Sequence, residues 1–235
     1  MVKMKVVILC GGEGMRLRPY TEDLPKPLMP IGERPMLWHI MKIYQAQGYK
    51  DFILCLGYKG EKIKEYFTNL KEDWNVTYAD TGISSPTGER LKKVEKLVDE
   101  DIFFATYADG LANINLKDSL KFHVLKGKIA TLTVVRTYSP FGLLKEEDGS
   151  ITEFREKPLL DDYINGGFFV FKREIFNFIK EGDSLESDVF VRLVKGGEAC
   201  AYKHHGFWKC VDTFKDLMAV NDLWKNNPEW KIWRD

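Results

Sequence analysis

The chain has 235 residues, of which 44% are hydrophobic and 13% aromatic, which suits one α/β domain with a large buried core. Its 35 basic and 35 acidic residues cancel, so we expect neither a nucleic-acid partner nor a membrane-surface partner. The four cysteines form no C-x-x-C pair, which argues against a zinc site or a disulfide framework and fits a reducing cytoplasm. The apolar run at residues 6–9 is too short for a signal peptide or a membrane span.

The first part of the chain alternates strand and helix signals. Residues 4–10 form a basic and then β-branched run that ends in two glycines, and α/β folds bind nucleotides at such a junction. Apolar residues then recur at helical spacing over residues 35–47, followed by a buried strand at 52–56 and a helix at 61–67. This order predicts a mostly parallel sheet flanked by helices.

The rest of the chain continues this alternation and becomes richer in strands. The further predicted elements are, in chain order, a strand at 76–78, a loop at 84–88, a helix at 89–98, strands at 102–107 and 129–136 around a helix at 116–125, short strands as far as 171, and a helix at 213–230. The last helix is rich in Trp and Leu, and as an exposed surface it would favour an oligomer. No linker or repeat interrupts the chain, so we predict a single domain over residues 1–235.

A glycine-rich loop after the first strand has the composition of a phosphate site. Gly11, Gly12 and Gly14 allow backbone N–H groups to approach an anion closely, and Arg16 and Lys26 supply positive charge. Two prolines flank Lys26 and keep its backbone extended, so its ammonium can be aimed as a point charge. The alternative for the loop by itself is a plain tight turn with an exposed arginine.

Two common nucleotide-binding motifs are absent from this loop. No Gly-Lys-Ser/Thr follows it at the spacing of a P-loop, and the third glycine of the dinucleotide fingerprint is missing. Kinase and dehydrogenase functions are therefore disfavoured.

In these residues the chain resembles the sugar-phosphate nucleotidyltransferases, whose signature is a Gly-Gly-x-Gly-x-Arg-Leu loop followed by Pro-Lys-Pro. The resemblance continues over nearly the whole chain, in Leu37-Trp38-His39-Ile40, Gly57-Tyr58-Lys59-Gly60, Asp80-Thr81-Gly82, Thr87-Gly88-Glu89-Arg90-Leu91, Asp109-Gly110, Glu156-Lys157-Pro158, Asn165-Gly166-Gly167, Gly206-Phe207-Trp208 and Asp212-Thr213. Within that family the strings most resemble the branch that makes CDP-glucose from CTP and glucose 1-phosphate.

The resemblance implies an α/β fold of the nucleotide-diphospho-sugar transferase type, with a Rossmann-like, mixed, mostly parallel sheet flanked by helices and a smaller β-rich sugar-binding part. Residues 1–110 would mainly bind the nucleotide. Residues 111–235 would mainly bind the sugar phosphate and include the C-terminal helix. Both the related enzymes and the aromatic C-terminus suggest a homo-oligomer.

The reaction implied by the resemblance is in-line attack of the sugar phosphate on the α-phosphorus, with pyrophosphate leaving, so catalysis is mostly positioning and charge neutralisation. Arg16 and Lys26 would be the catalytic cations, and Asp109 and Asp212 would hold Mg²⁺, which prefers oxygen ligands. Without the resemblance, Asp109 could be a turn residue before Gly110, and Asp212 could cap the last helix.

The resemblance also assigns each binding residue. For the nucleotide these are Leu9, Cys10, Gly11, Gly12, Gly14, Met15, Arg16, Lys26, Thr87, Gly88, Arg90 and Asp109. For the sugar phosphate they are Gly142, Glu156, Lys157, Asn165, Gly166, Glu186 and Trp208. The alternatives are a flexible surface loop around Thr87, a solvated charge pair at Glu156 and Lys157, and a turn signal at Asn165.

Several positions depart from the family pattern. Met15 replaces a small hydroxylated residue in the loop, Glu89 stands where a second glycine is usual, and Leu185 replaces a tryptophan before Glu186. The segment between residues 67 and 74 is also short. The same reaction with UTP or dTTP, or with another sugar or polyol phosphate, therefore stays open, as does a non-catalytic nucleotide-binding regulatory protein.

Overall fold

A computed structural model describes residues 4–17 and 20–234. Its strands are β1 (Lys5–Leu9), β2 (Pro30–Ile31), β3 (Arg34–Pro35), β4 (Asp51–Leu56), β5 (Asn75–Asp80), β6 (Ile102–Tyr107), β7 (Gly110–Ala112), β8 (Ala130–Val135), β9 (Leu143–Glu147), β10 (Ser150–Arg155), β11 (Ile164–Lys172), β12 (Ala199–Lys203) and β13 (Trp208–Cys210). Its α-helices are α1 (Met36–Gln45), α2 (Gly60–Thr68), α3 (Thr87–Lys93), α4 (Leu116–Lys126), α5 (Phe190–Lys195) and α6 (Phe214–Asn226).

Seven strands form one central sheet in the order β12-β8-β11-β6-β1-β4-β5. The pairs β6-β1, β1-β4, β4-β5 and β12-β8 are parallel, and β11 runs antiparallel to both of its neighbours. The predicted mixed, mostly parallel sheet is confirmed. Strands from both halves of the chain share it, and the division of binding tasks at residue 110 stays a prediction.

Helices cover both faces of the sheet because its central strands are apolar on both sides. Along β1, Val6 and Ile8 belong to a core that includes buried residues of α1, α2 and α6. Val7 and Leu9 belong to a second core on the opposite face, with α3 and α5. Such continuous apolar runs are typical of parallel strands. None of the helices in the described ranges has the length and apolar content needed to cross a membrane.

The order of the strands places the candidate site. From β1 the chain moves outward to β4 and β5 and then returns to the other side of β1 as β6. Ligands bind in open α/β sheets at the carboxyl ends of strands where the order reverses in this way. The glycine loop follows β1 and Asp109 follows β6, so both lie at this reversal point.

The loop predicted at residues 84–88 is shorter than expected. Thr87 and Gly88 form the first turn of α3, which ends at Lys93 and not near residue 98. The start of α3 is ambiguous in the sequence, because Pro86 and Gly88 are turn signals and a proline is also compatible with the start of a helix.

The C-terminal helix also ends earlier than predicted. Thr213 caps α6 through a capping box with Asp216, and the helix ends at Asn226. Trp230, the last residue of the predicted helix and part of its expected aromatic surface, is buried against α1, as is Trp233 beyond it. The homo-oligomer stays a prediction, but these buried aromatic residues no longer support it.

His39 anchors this C-terminal segment. The imidazole is fully buried, with one ring nitrogen 2.9 Å from the carbonyl oxygen of Ile31 and the other 3.4 Å from Nε1 of Trp230. Rings of Trp38, Trp224 and Trp233 lie edge-on or tilted around it. Burial lowers the pKa of His39 to about 4 from its ordinary 6.5, so the folded protein favours the neutral imidazole.

This burial predicts a loss of stability in mild acid. The unfolded chain binds a proton on His39 near pH 6.5 and the folded chain only near pH 4, so stability is complete above pH 6.5 and falls as the pH drops towards 4. The contribution is at most about 3 kcal/mol. Urea unfolding between pH 7.5 and 4.5 should show a shallower decline in His39→Gln than in wild type, with the exposed His205→Gln as control. Equal slopes in all three proteins would contradict this.

Candidate active site

The glycine loop leaves β1 beside the end of β4. The backbone N–H of Tyr58 donates to the carbonyl oxygen of Gly11 at 3.0 Å, and that of Cys10 donates to Cys55 at 3.2 Å. A Cβ on Gly11 would lie 2.2 Å from Nη1 of Arg90, so no larger residue fits there. Burial raises the pKa of the Cys10 thiol to about 12, consistent with packing and no chemistry of its own.

Lys26 lies between two carboxylates at the mouth of this loop. Its Nζ donates to Asp109 at 2.7 Å and to Asp212 at 2.8 Å, and Nη1 of Arg16 donates to Asp212 at 2.9 Å. Burial by itself would lower the pKa of Lys26, but the two carboxylates outweigh burial and raise it. Burial likewise opposes ionisation of Asp212, but the pKa of Asp212 is lowered, chiefly by Lys26. Lys26 and Asp212 are therefore both charged near neutral pH.

Backbone pairing brings the two carboxylates together from distant parts of the chain. β13 runs antiparallel to β7, with Cys210 opposite Gly110, and the N–H of Val211 donates to the carbonyl oxygen of Asp109 at 2.9 Å. Asp212 thereby lies next to Asp109. Because Thr213 provides the cap of α6, the capping alternative for Asp212 is wrong.

This cluster has a donor set that fits a divalent cation. Asp109, Asp212 and Cys210 each offer an atom within 4.8 Å of the others. Burial and the neighbouring carboxylates raise the pKa of the Cys210 thiol, so the thiol is protonated near neutral pH. The two carboxylates therefore provide the oxygen donors of the group, and such hard ligands suit Mg²⁺ or Mn²⁺.

A cavity of about 510 Å³ contains these groups. Eleven of the twelve residues predicted to bind the nucleotide line it, together with Asp212; the exception is Gly88. The cavity joins the glycine loop, the Lys26 cluster and the segment before α3. Its size suits a small organic ligand.

Arg90 lines this cavity while supporting the loop beside it. Its guanidinium is almost fully buried and donates to the carbonyl oxygens of Leu56, Gly82 and Ile83 and to the hydroxyl of Thr81, at 2.6 to 3.3 Å. Burial lowers the pKa of Arg90, but an arginine stays protonated in any case. Arg90 thus holds residues 81–83 in place, and its contact with a nucleotide stays a prediction.

The contacts of Arg90 predict a large effect on stability. Arg90→Met removes the guanidinium donor from the carbonyl oxygens of Gly82 and Ile83, whereas Leu56 still accepts from the N–H and the hydroxyl of Thr81. We expect the free energy of unfolding to fall by about 3 kcal/mol. Urea unfolding measures this, with Lys96→Met as a matched control on the exposed surface nearby. A loss below about 1 kcal/mol would mean that water replaces the guanidinium at these carbonyls.

The predicted sugar-phosphate residues divide into two groups. Asn165 and Gly166 on β11 and Trp208 on β13 do not line the cavity but connect to it through hydrogen bonds. Nε1 of Trp208 donates to Gly166 at 2.8 Å, and Nδ2 of Asn165 donates to the hydroxyl of Tyr107 at 3.3 Å. Glu186 accepts a short hydrogen bond from the same Tyr107 hydroxyl. Tyr107 lines the cavity.

The second group lies apart from the cavity. Gly142, Glu156 and Lys157 flank the β9–β10 hairpin and do not line the cavity. Glu156 and Lys157 have side chains more than half exposed, with 3.4 Å between their charged atoms. The structure therefore does not bring these three residues to the nucleotide side, and their binding of sugar phosphate stays a prediction.

Two residues of the site were missed from the sequence. Tyr107 ends the strand that leads to Asp109, and this position could have signalled it. Cys210 lies two residues before Asp212, so in an extended segment both side chains point to the same side. Reasoning from C-x-x-C spacing could not find it.

The mostly parallel sheet, the glycine loop at its reversal point and the lysine held by two carboxylates define a nucleotide-binding α/β protein equipped for phosphate chemistry. The chain belongs to the nucleotidyl transferase family, whose model matches residues 5–227. Glucose-1-phosphate cytidylyltransferase of Salmonella typhi is 42% identical, and a probable glucose-1-phosphate cytidylyltransferase of Bacillus subtilis is 43% identical. Each alignment covers 98% of this chain and 100% of the relative.

Solved structures share the fold. A UDP-glucose pyrophosphorylase complexed with UDP-glucose superposes with a TM-score of 0.75 at 16% identity, covering 95% of this chain and 99% of the other. HddC from Yersinia pseudotuberculosis superposes with a TM-score of 0.75 at 22% identity, covering 93% and 98%. These similarities support the fold assignment.

Proposed function

We propose that the protein transfers a cytidylyl group from CTP to glucose 1-phosphate, giving CDP-glucose and pyrophosphate. The observation that carries this proposal is the Lys26 ammonium, 2.7 Å from Asp109 and 2.8 Å from Asp212 at the mouth of the glycine loop. The full-length relatives named glucose-1-phosphate cytidylyltransferase support the choice of base and sugar.

The proposed chemistry is an in-line displacement. A phosphate oxygen of glucose 1-phosphate forms a bond to the α-phosphorus of CTP, and the bond from that phosphorus to the bridging oxygen of pyrophosphate breaks. Backbone N–H groups of the glycine loop would bind the phosphates. Lys26 would neutralise charge on the transferred group. A divalent cation, Mg²⁺ in our proposal, would be held by Asp109 and Asp212 and would neutralise phosphate charge.

Arg16 is placed to bind the leaving pyrophosphate. Its side chain is 75% exposed and reaches Asp212 from the open side of the cavity. An exposed ion pair of this kind is weak, so the guanidinium can leave Asp212 when a phosphate arrives. Arg16 is therefore proposed as the mobile cation of the site and Lys26 as the fixed one.

One observation favours testing other nucleotides as donors. Glu89 accepts hydrogen bonds from Ser85 at 2.9 Å and from the N–H of Gly182 at 3.0 Å, and it pairs with Lys93 at 2.6 Å. A carboxylate where the family usually has glycine thus shapes the loop beside the cavity. UTP or dTTP is the second candidate donor.

The deciding experiment assays pyrophosphate release from each of CTP, UTP, dTTP, ATP and GTP with glucose 1-phosphate, and then from the best nucleotide with a panel of sugar and polyol phosphates. We expect CTP with glucose 1-phosphate to give the highest kcat/KM. Turnover with UTP or dTTP and none with CTP would overturn the base assignment. Nucleotide binding without turnover of any pair would favour the non-catalytic regulatory alternative.

A further inference from the structure

Tyr107 occupies a position between the two proposed subsites. It is the last residue of β6, two residues before Asp109, and it lines the cavity. Its ring packs edge-on against Phe169 at a centroid distance of 5.3 Å, which fixes the direction of the hydroxyl. That hydroxyl donates to Oε1 of Glu186 and accepts from Nδ2 of Asn165.

Three protein hydroxyl groups donate to the carboxylate of Glu186. While Oε1 accepts from Tyr107, Oε2 accepts from the hydroxyls of Thr87 at 2.7 Å and Ser184 at 2.5 Å. Burial by itself would raise the pKa of Glu186, but these hydroxyl groups outweigh burial and hold it below its ordinary value. A carboxylate with three such donors has little capacity left for a sugar hydroxyl.

On the side of the proposed nucleotide subsite, Glu186 is connected to α3 by hydrogen bonds. Oγ1 of Thr87, which donates to Glu186, also accepts from the N–H of Leu185 at 2.9 Å. The N–H of Glu89 donates to the carbonyl oxygen of Asp183 at 3.0 Å. A Cβ on Gly88 would lie 2.7 Å from that same oxygen, so the close contact requires glycine. These contacts therefore join the first turn of α3 and the segment carrying Glu186 into one unit.

The sugar side is tied to β11. The amide oxygen of Asn165 accepts from the N–H of Gly167 at 2.9 Å, which orients its Nδ2 towards Tyr107. The neighbouring Gly166 carbonyl oxygen accepts from Trp208. A continuous chain of hydrogen bonds, here called the polar bridge, thus runs from Thr87 through Glu186 and Tyr107 to Asn165.

We propose that Tyr107 and Glu186 are positioning residues that couple the two subsites, so that a nucleotide bound against Thr87 and α3 strengthens binding of the sugar phosphate beside Asn165. Glu186 then acts through Tyr107 and not by contact with the sugar. This inference rests on the proposed function for the identity of the two ligands. When two binding sites are coupled, one ligand typically changes the affinity for the other by about 5- to 150-fold.

The test measures binding, so it does not depend on turnover. Calorimetry gives the Kd of glucose 1-phosphate with and without a saturating, non-hydrolysable α,β-methylene analogue of CTP, in the presence of Mg²⁺. In wild type we expect the analogue to tighten glucose 1-phosphate binding by about fivefold or more. In Tyr107→Phe this ratio should fall to about one, while the Kd of the analogue stays within about twofold, because the phenyl ring keeps the packing and loses only the hydroxyl.

Two further variants separate coupling from direct contact. Tyr202→Phe, on β12 away from the cavity lining, removes a hydroxyl elsewhere in the sheet and should keep the wild-type ratio. Glu186→Gln should lower the ratio as Tyr107→Phe does. The double variant should have the same ratio as either single variant, because both changes break the same chain of hydrogen bonds. Additive losses, or a Glu186→Gln protein that binds glucose 1-phosphate more weakly even without the analogue, would show direct contact and overturn the proposal.

The remaining outcomes are equally decisive. A Tyr107→Phe protein with the wild-type ratio would overturn the polar bridge and leave the proposed reaction standing. A wild type that binds the analogue with no effect on glucose 1-phosphate would do the same. Wild-type protein that binds neither ligand would overturn the proposed function and this inference together.

Discussion

Lys26→Met should lower kcat/KM for nucleotidyl transfer by about a hundredfold to a thousandfold. The ammonium contacts both Asp109 and Asp212, and its flanking prolines hold the backbone that carries it. Loss of a fixed cation that neutralises charge in the transition state typically has an effect of about this size. Methionine keeps the length and packing of the side chain and removes only the charge.

The measurement is pyrophosphate release under saturating and subsaturating nucleotide. Lys121→Met, on the exposed face of α4, is the matched control and should retain wild-type kinetics. Thermal unfolding tests whether the two carboxylates, left facing each other without their cation, destabilise the fold. A folded Lys26→Met protein with kcat/KM within about threefold of wild type would contradict the charge-neutralising function.

Asp109→Asn should abolish most of the activity and weaken divalent-cation binding together. The side chain keeps its shape but loses the charge that pairs with Lys26 and that a hard cation prefers. We expect kcat/KM to fall by about a thousandfold. Mn²⁺, followed by electron paramagnetic resonance in the absence of nucleotide, should bind at least about tenfold more weakly. Asp212→Asn should act in the same direction.

Asp118→Asn is the matched control, since that carboxylate lies on the surface of α4, where it contacts Asn115 and Lys121. It should leave both Mn²⁺ binding and turnover unchanged. Removal of divalent cations with EDTA should stop turnover in wild type, and Mg²⁺ should restore it. Wild-type Mn²⁺ affinity in both Asp109→Asn and Asp212→Asn would contradict a metal site at these carboxylates, whatever their activity.

Local sequence determined the sheet class and the phosphate half of the site. The buried run of β1, the glycines that follow it and Lys26 between two prolines are each encoded within a few neighbouring residues, where hydrophobic period and backbone restriction act directly. The position of Asp109 after an apolar strand follows in the same way, because the carboxyl ends of parallel strands meet at one edge of the sheet.

Local signals were ambiguous where one residue type serves two purposes. Thr87 and Gly88 follow a proline and were assigned to a loop, whereas they begin α3. Trp230 was assigned to an exposed helix and is fully buried after the chain turns back towards α1. In both cases contacts with distant segments decide the outcome, and no window of sequence contains them.

What the sequence by itself determined is the family resemblance, the order of strands and helices, and the cations of a phosphate site. Only the tertiary structure decided that Asp212 lies beside Asp109, that Tyr107 connects Glu186 to Asn165, and that Glu156 and Lys157 lie apart from the cavity. The physical reason is separation along the chain. Period and propensity act over neighbouring residues, whereas Lys26 and Asp212 are 186 positions apart and meet only because β13 pairs with β7.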